Sequence, residues 1–242
     1  MKNFFKVFAV FCTMLSGCTD SAKKEAQLSF GVSSEYPPFE FMQNGEVVGF
    51  DIDVAKAVAK EMEMEAVFKD MKFASILPAI DNGVVDAGIS AINITPARSA
   101  SYDFTIPYHY FSIAGIFKDT SQIVNKGDLA DKEIACQIGS NPENWIKTNF
   151  PGKAYTAFDG TNQAMEFLKS GRGDVVIVDG EVAVGFVKHN PGYKYVTLEK
   201  SAEAVGIVLK KGSALVDKMN KALEAIVRNG TLQALKKKWD ID

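Results

Sequence analysis

Two stretches of the chain, 88 residues apart, run through the same order of events. "LPAIDNGVVDAGIS" (77–90) closes a helix, passes a glycine, and sets Asp86 ahead of an apolar run. "MEFLKSGRGDVVIVDG" (165–180) does the same with Gly171, Asp174 and the run "VVIV". An apolar run that follows a helix without alternating is buried on both faces, which is the mark of a parallel strand covered by helices on either side. Two Gly-x-x-Asp units therefore predict two similarly built α/β lobes. A chain of 242 residues is long enough for either one large domain or two small ones.

The flanking segments fit that architecture. "LSFGVSS" (28–34) reads as a strand, and "SSEYPPFEF" (33–41) ends it, because proline fixes φ and offers no ladder donor. Asn44-Gly45 between two extended runs predicts a hairpin. Ile52, Ala55, Ala59 and Met62 make one helical stripe, with Asp51 placed to cap the helix and Asp53 to favour its dipole. As a cation site those two acids lack further oxygen ligands, so no metal is expected. Near the C-terminus Leu215, Met219, Ala222, Leu223 and Ile226 form a second stripe. Asn229-Gly230 stops it, and Thr231 is expected to cap a last helix running through Trp239, whose "LKKKW" reads as a solvated basic turn.

The first residues are of another kind. Lys2 and Lys6, an apolar run from Val7 to Leu15, and small residues before a cysteine make a secretory signal over 1–17. Leu15-Ser16-Gly17-Cys18 resembles the bacterial lipobox, which implies acylation at Cys18 and a polar tether over 18–27. The expected address is the cell envelope, in the periplasm or on the outer face of the membrane, held through lipid alone. Without the signal, 25 basic residues face 30 acidic ones, which argues against a nucleic-acid partner. Cys136 would then be the one cysteine left to the folded part, so no internal disulfide is expected, and its apolar setting "EIACQIG" marks it as a buried small hydrophobe.

Catalytic patterns are missing from the sequence. Its two histidines, His109 and His189, lie in no paired ligand spacing, and there is no G-x-S-x-G, Walker or G-x-G-x-x-G motif. Strand-to-helix junctions stand out instead. "ISAINITPARSA" (89–100) leads from a strand through Asn93 to Thr95-Pro96, a cap with proline in the first turn, and to Arg98. A helix N-terminus favours a carboxylate, and the planar fork of Arg98 can clamp the same group; an ordinary surface ion pair is the other reading of Arg98. "CQIGSNPENW" (136–145) offers a second junction, with Gly139, Ser140 and Asn141 as the turn and Pro142 opening a helix, or merely a capped helix. "VIVDGE" (176–181) ends a strand in Asp179, either a turn residue or an acid at the strand's carboxyl edge, where ligands bind in open α/β sheets. An anion receptor and a carboxylate brought together would fit a zwitterion.

From about residue 28 to 242 the chain resembles the polar amino-acid solute-binding proteins of bacterial ABC importers, the two-lobe venus-flytrap type. The residues that carry the likeness are "SSEYPPFEF…GEVVGFDIDVAKAVA", "DNGVVDAGISAINITPARSASYDFTIPY", "GSNPE", "SGRGDVVIVDGEVA" and "VRNGTLQALKKKW". The resemblance implies a periplasmic-binding-protein type II fold, each lobe a mainly parallel sheet flanked by helices. Lobe 1 would span 28–109 and 205–242 and lobe 2 110–204, with hinges near Tyr108–Tyr110 and Ala204–Gly206. It implies a monomer without cofactor that closes on a free L-amino acid and passes it to an ABC permease and ATPase.

By position in those motifs, Arg98 would hold the α-carboxylate with help from Asn93 and Ser140, and Ser90 and Asp179 would receive the α-ammonium. Tyr36 and Phe73 would sandwich the side chain, although core is the commoner fate of an aromatic. Ser33, Ala91, Gln137 and Asn141 complete the expected lining. Relatives that take basic amino acids commonly carry an acid at the position of Ser33. Here that residue is neutral, and Glu35 is the nearby alternative, so basic and neutral-polar ligands both stay open. Two other roles are carried by the same type of chain: a secreted cyclohexadienyl dehydratase-like enzyme, and a sensory or adhesive lipoprotein.

Overall fold

The computed structural model describes residues 26–200 and 204–241, so the signal peptide, Cys18 and the tether up to residue 25 lie outside the described residues. The first strand begins slightly ahead of expectation: β1 (Ala26–Val32) takes in the last two residues assigned to the tether. It is followed by β2 (Glu35–Tyr36), β3 (Glu40–Gln43) and β4 (Glu46–Val48). These three form a small antiparallel sheet whose tight turn places Asn44 and Gly45 at positive φ, the Asn-Gly hairpin anticipated from sequence. The peptide bond between Pro37 and Pro38 is cis.

Lobe 1 continues with α1 (Phe50–Glu61), β5 (Met64–Asp70), α2 (Phe73–Asp81), β6 (Ala87–Gly88), α3 (Pro96–Ser101) and β7 (Tyr102–Phe104). The chain then passes through β8 (His109–Tyr110) into lobe 2. There it forms β9 (Ile113–Lys118), β10 (Ile134–Gln137), α4 (Asn141–Asn149), β11 (Thr156–Phe158), α5 (Thr161–Lys169), β12 (Val175–Asp179), α6 (Gly180–His189) and β13 (Tyr193–Glu199). It returns through β14 (Ala204–Val205) to β15 (Val208–Lys210), α7 (Leu215–Arg228) and α8 (Thr231–Lys238). The two passages pair with each other as an antiparallel ribbon, β8 against β14.

The two sheets share one plan. Lobe 1 is ordered β5-β1-β6-β15-β7 and lobe 2 β11-β10-β12-β9-β13. In each, three neighbouring strands are parallel and the fourth is reversed. The reversed strand is the one that follows a passage between the lobes, β15 in lobe 1 and β9 in lobe 2. "Mainly parallel" thus holds with one antiparallel member per sheet.

Alternation along the strands sorts the cores. Leu28, Phe30 and Val32 face the cluster built with α1 and α7, while Ile76 and Ile80 of α2 pack with Val85 and Val208 on the other face. In lobe 2, Val175 and Ile177 join Trp145 and Ile146 of α4, whereas Val176 and Val178 face α5 and α6. Cys136 is fully buried in the α4 layer, and burial, reinforced by nearby Glu143, pushes its thiol up to about 12, so it behaves as the expected small hydrophobe.

Both Gly-x-x-Asp units fold alike. Gly83 and Gly171 take positive φ at helix ends, conformations that cost a glycine nothing. Asp86 N donates to Ser29 O and its carboxylate accepts from Ser29 N, at 3.0 and 2.9 Å. Asp174 makes the same exchange with Glu133, at 2.9 and 2.9 Å. The strands they lead differ: β12 has five residues, but β6 only two before the backbone bends at Ala91.

Two caps and one turn depart from the sequence reading. Gly49, not Asp51, is the N-cap of α1, leaving Asp51 within the helix and buried. Gly230 caps α8, and Thr231 N donates to Asn229 Oδ1 rather than Thr231 providing the cap. The basic C-terminal turn is not merely solvated, since Lys238 Nζ and Trp239 Nε1 both donate to Asp53 Oδ2.

Candidate functional site

The strand ends of both lobes face one another across a narrow space, and loop chemistry sets what each presents. After β6, Thr95 accepts from Arg98 N with Pro96 opening α3, as predicted for that junction. The turn projects Arg98 toward the other lobe, its Nη1 donating to Asn93 O and its Nη2 to Gly139 O, both at 2.9 Å. The guanidinium also lies 5.7 Å from the Phe73 ring centre. Arg98 therefore bridges the lobes and is not an isolated surface ion pair.

From lobe 2, Ser140 caps α4, accepting from Glu143 N and donating to Gln137 O. Asn141 is the first residue of that helix, not part of the turn. The Gly139 amide donates to Glu143 Oε2 at 2.7 Å. That carboxylate is held below its usual range by this bond and by Lys147 and Tyr155, against the opposing effect of burial. Asp179 ends β12, buried, with its Oδ2 accepting from the Tyr36 hydroxyl at 2.7 Å. Burial first, and Asp179 second, raise the Tyr36 phenol well above its ordinary value, so it stays a neutral donor.

The space so enclosed is lined by Ser33, Tyr36, Phe73, Ser90, Ala91 and Asn93 of lobe 1 and by Gln137, Ser140, Asn141 and Asp179 of lobe 2. Ten of the eleven expected ligand residues line it; Arg98 does not, and touches Asn93, Gly139 and Phe73 beside it. Glu40 and Pro142 line it as well, unforeseen from sequence. The Ser90 hydroxyl is turned into the wall, accepting from Ser33 N and donating to Glu40 Oε1 at 3.0 and 2.9 Å. Glu35 faces elsewhere, paired with Lys72 at 3.2 Å. The space measures about 290 Å³ when counted out into solvent at its mouth, but its room for water is about 10 Å³, roughly one molecule. An amino acid can enter only if the lobes part.

Two buried acids adjoin each other here, Glu40 in the wall and Asp51 behind it. Burial, then the charge of Asp51, raises Glu40 well above the carboxylate range. Burial raises Asp51 to about 6, against the pull of its bond from Ala91 N. His109 is boxed by Phe39, Phe50 and Phe111, with Nε2 3.1 Å from Glu181 Oε1. No group of side chains among the described residues has the make-up of a metal site, and no described helix is long and apolar enough to cross a membrane.

A two-lobe α/β fold with a narrow cleft between the lobes, lined by a buried carboxylate and flanked by an Arg fork that spans them, defines a hinged binding protein for a small ligand. The chain belongs to the bacterial extracellular solute-binding proteins, family 3, whose sequence model matches residues 28–241. It is 36% identical over 239 residues to the ABC transporter arginine-binding protein 1 of Escherichia coli K12, covering 95% of this chain and 97% of that one. Among solved structures it is similar to an ancestral arginine-binding protein bound to glutamine, with TM-score 0.85, 39% identity, and coverage of 88% and 97%. The arginine-bound form of an ancestral arginine-binding protein gives TM-score 0.85 at 38% identity, over 89% and 99%.

Proposed function

We propose that the chain captures a free polar amino acid outside the cytoplasm, arginine foremost and glutamine second, and delivers it to an ABC importer. The observation that carries this reading is the Arg98 fork reaching from Asn93 of one lobe to Gly139 of the other, next to the cleft that Tyr36 and Asp179 line. Arg98 would exchange its carbonyl partners Asn93 and Gly139 for the ligand carboxylate, and Asp179 would exchange the Tyr36 hydroxyl for the ammonium. Tyr36 and Phe73 supply faces on which a planar guanidinium or amide can stack. The similarity to arginine-binding proteins, one with glutamine bound, supports the ligand choice.

In this reading 28–109 with 205–242 forms one lobe and 110–204 the other, moving about the β8–β14 ribbon, while Cys18 carries the lipid that keeps a monomeric receptor near its permease. Binding alone is asked of it, with no chemical step. Micromolar affinity needs only about 8 kcal/mol. The experiment is a thermal-shift screen of the refolded protein against the twenty L-amino acids, followed by calorimetry of the hits, since ligand raises stability by mass action. Arginine is expected to give the largest shift. No shift with any amino acid, or turnover of prephenate or arogenate, would overturn the reading.

A further inference from the structure

Ala91 is the one residue of the cleft lining at positive φ, 51°, a left-handed conformation that an L side chain resists. Its amide donates to Asp51 Oδ2 at 2.7 Å, a short charge-assisted bond from a fully buried carboxylate. Asp51 touches no open part of the cleft, and it sits in the first turn of α1, not at the cap position. The residues directly after Ala91 in the chain are the ligand apparatus itself. Gly206 N donates to Ile92 O, Asn93 bridges to Val205 of the return passage, and the Asn93 carbonyl receives Arg98 Nη1. The bend at Ala91 thus decides where the Asn93 carbonyl and the Arg98 fork stand.

We infer that Asp51 is a positioning residue of the cleft, holding the Ser90–Asn93 strand end in its left-handed bend so that Arg98 is aimed across the lobes. This rests on the amino-acid-binding reading above for its effect on ligand, but the brace itself is a property of the ligand-free chain. Glu40 assists from the other side, fixing Ser90 Oγ, which in turn fixes Ser33 N. The two acids grip successive residues of one strand end. The same turn of α1 presents Phe50 to Tyr108 and His109, so the bend and the first passage between the lobes are held by one rigid element.

Two readouts test it. Amide hydrogen exchange of Ala91, followed by NMR in the ligand-free protein, is expected to quicken at least tenfold in Asp51→Ala and to change little in Asp51→Asn, whose Oδ1 can still accept. L-arginine affinity by calorimetry is expected to fall at least tenfold in Asp51→Ala, to stay within threefold in Asp51→Asn, and to recover partly in Asp51→Ala with Ala91→Gly, since glycine adopts the bend unaided. Should Asp51→Ala not fold, Asp51→Ser takes its place, its hydroxyl too short to reach the amide. An unchanged Ala91 exchange rate overturns the brace, and so does unchanged affinity with a lowered melting temperature, which would make Asp51 a stability residue only. If the parent binds no amino acid, the proposed function falls while the exchange readout still decides the brace.

Discussion

Tyr36 and Asp179, 143 residues apart, bind each other twice across the cleft: the phenol donates to Asp179 Oδ2 at 2.7 Å and accepts from Asp179 N at 3.1 Å. A ligand ammonium aimed at Asp179 must compete with this pair. Tyr36→Phe keeps the aromatic wall and removes the competitor. It is expected to tighten the ligand about two- to tenfold, the equivalent of about 0.5–1.5 kcal/mol for one net hydrogen bond. Calorimetry on the variant decides; a tenfold loss would mean the hydroxyl contacts the ligand instead.

Arg98→Lys keeps a positive charge but not the fork that reaches Asn93 O and Gly139 O together. Affinity is expected to drop about 100-fold in Arg98→Lys and beyond measurement in Arg98→Ala. Melting temperatures of the ligand-free proteins should stay within a few degrees, because Arg98 is half-buried and outside all three hydrophobic clusters. Retained binding in Arg98→Ala would sink the site assignment.

Asp51 sets a pH dependence of stability whose sign is worked out from its upward shift. Its carboxyl is raised from 3.8 to about 6 in the fold, so between those values the folded chain binds more protons than the unfolded one. Stability from this group is therefore greatest below about 4 and is lost as pH rises toward 6. Tyr108, His109 and Glu40 are the neighbours whose hydrogen bonds or charge act on it. Asp51→Asn cannot ionise, so relative to the parent it is expected to gain about 2 kcal/mol as pH goes from 4 to 7. Urea unfolding across that range measures the difference; a flat difference would show that Asp51 does not titrate there.

The paired aspartates predict unequal costs. Asp86 accepts from both the amide and the hydroxyl of Ser29, whereas Asp174 accepts from the Glu133 amide. Asp86→Ala is expected to cost about 2 kcal/mol and Asp174→Ala about 1 kcal/mol, shifts of several degrees and of a few degrees in Tm. Both lie at the far end of their strands from the cleft, so ligand affinity should be unchanged in either variant.

Much of the architecture was legible because it is written in local pattern: the Gly-x-x-Asp units, the Asn-Gly hairpin, the Thr95-Pro96 cap and the helical stripes each depend on neighbours within a few residues. Asn93, Arg98, Ser140 and Asp179 stood out at strand-to-helix junctions, but their assembly with Tyr36 and Phe73 into one cleft was legible only through family resemblance, since Tyr36 and Asp179 meet by tertiary folding alone. Asp51 was misplaced for a physical reason. A polar residue at the head of an apolar stripe reads as a cap, and nothing in the stripe shows that the helix starts two residues earlier, at Phe50 with Gly49 as its cap. Glu40 was missed because side chains alternate along a strand, so its neighbours Phe39 and Phe41 give no sign that it is buried, yet it is 1% exposed. The partnership of His109 with Glu181 left no trace in spacing.

The reversed strand in each sheet has a consequence for the order in which the chain becomes a protein. Lobe 2 draws its sheet from one uninterrupted stretch, β9 through β13, ending at Glu199. Lobe 1 cannot complete its sheet until β15 slots between β6 and β7, and β15 starts at Val208, after the last strand of the lobe 2 sheet. A ribosome or export pore releasing the chain from its N-terminus therefore delivers the second lobe whole while the first still has an open groove. A truncation that removes only the last thirty-five or so residues would strip lobe 1 of β15 and its α7–α8 cover, yet leave every strand of the lobe 2 sheet in place.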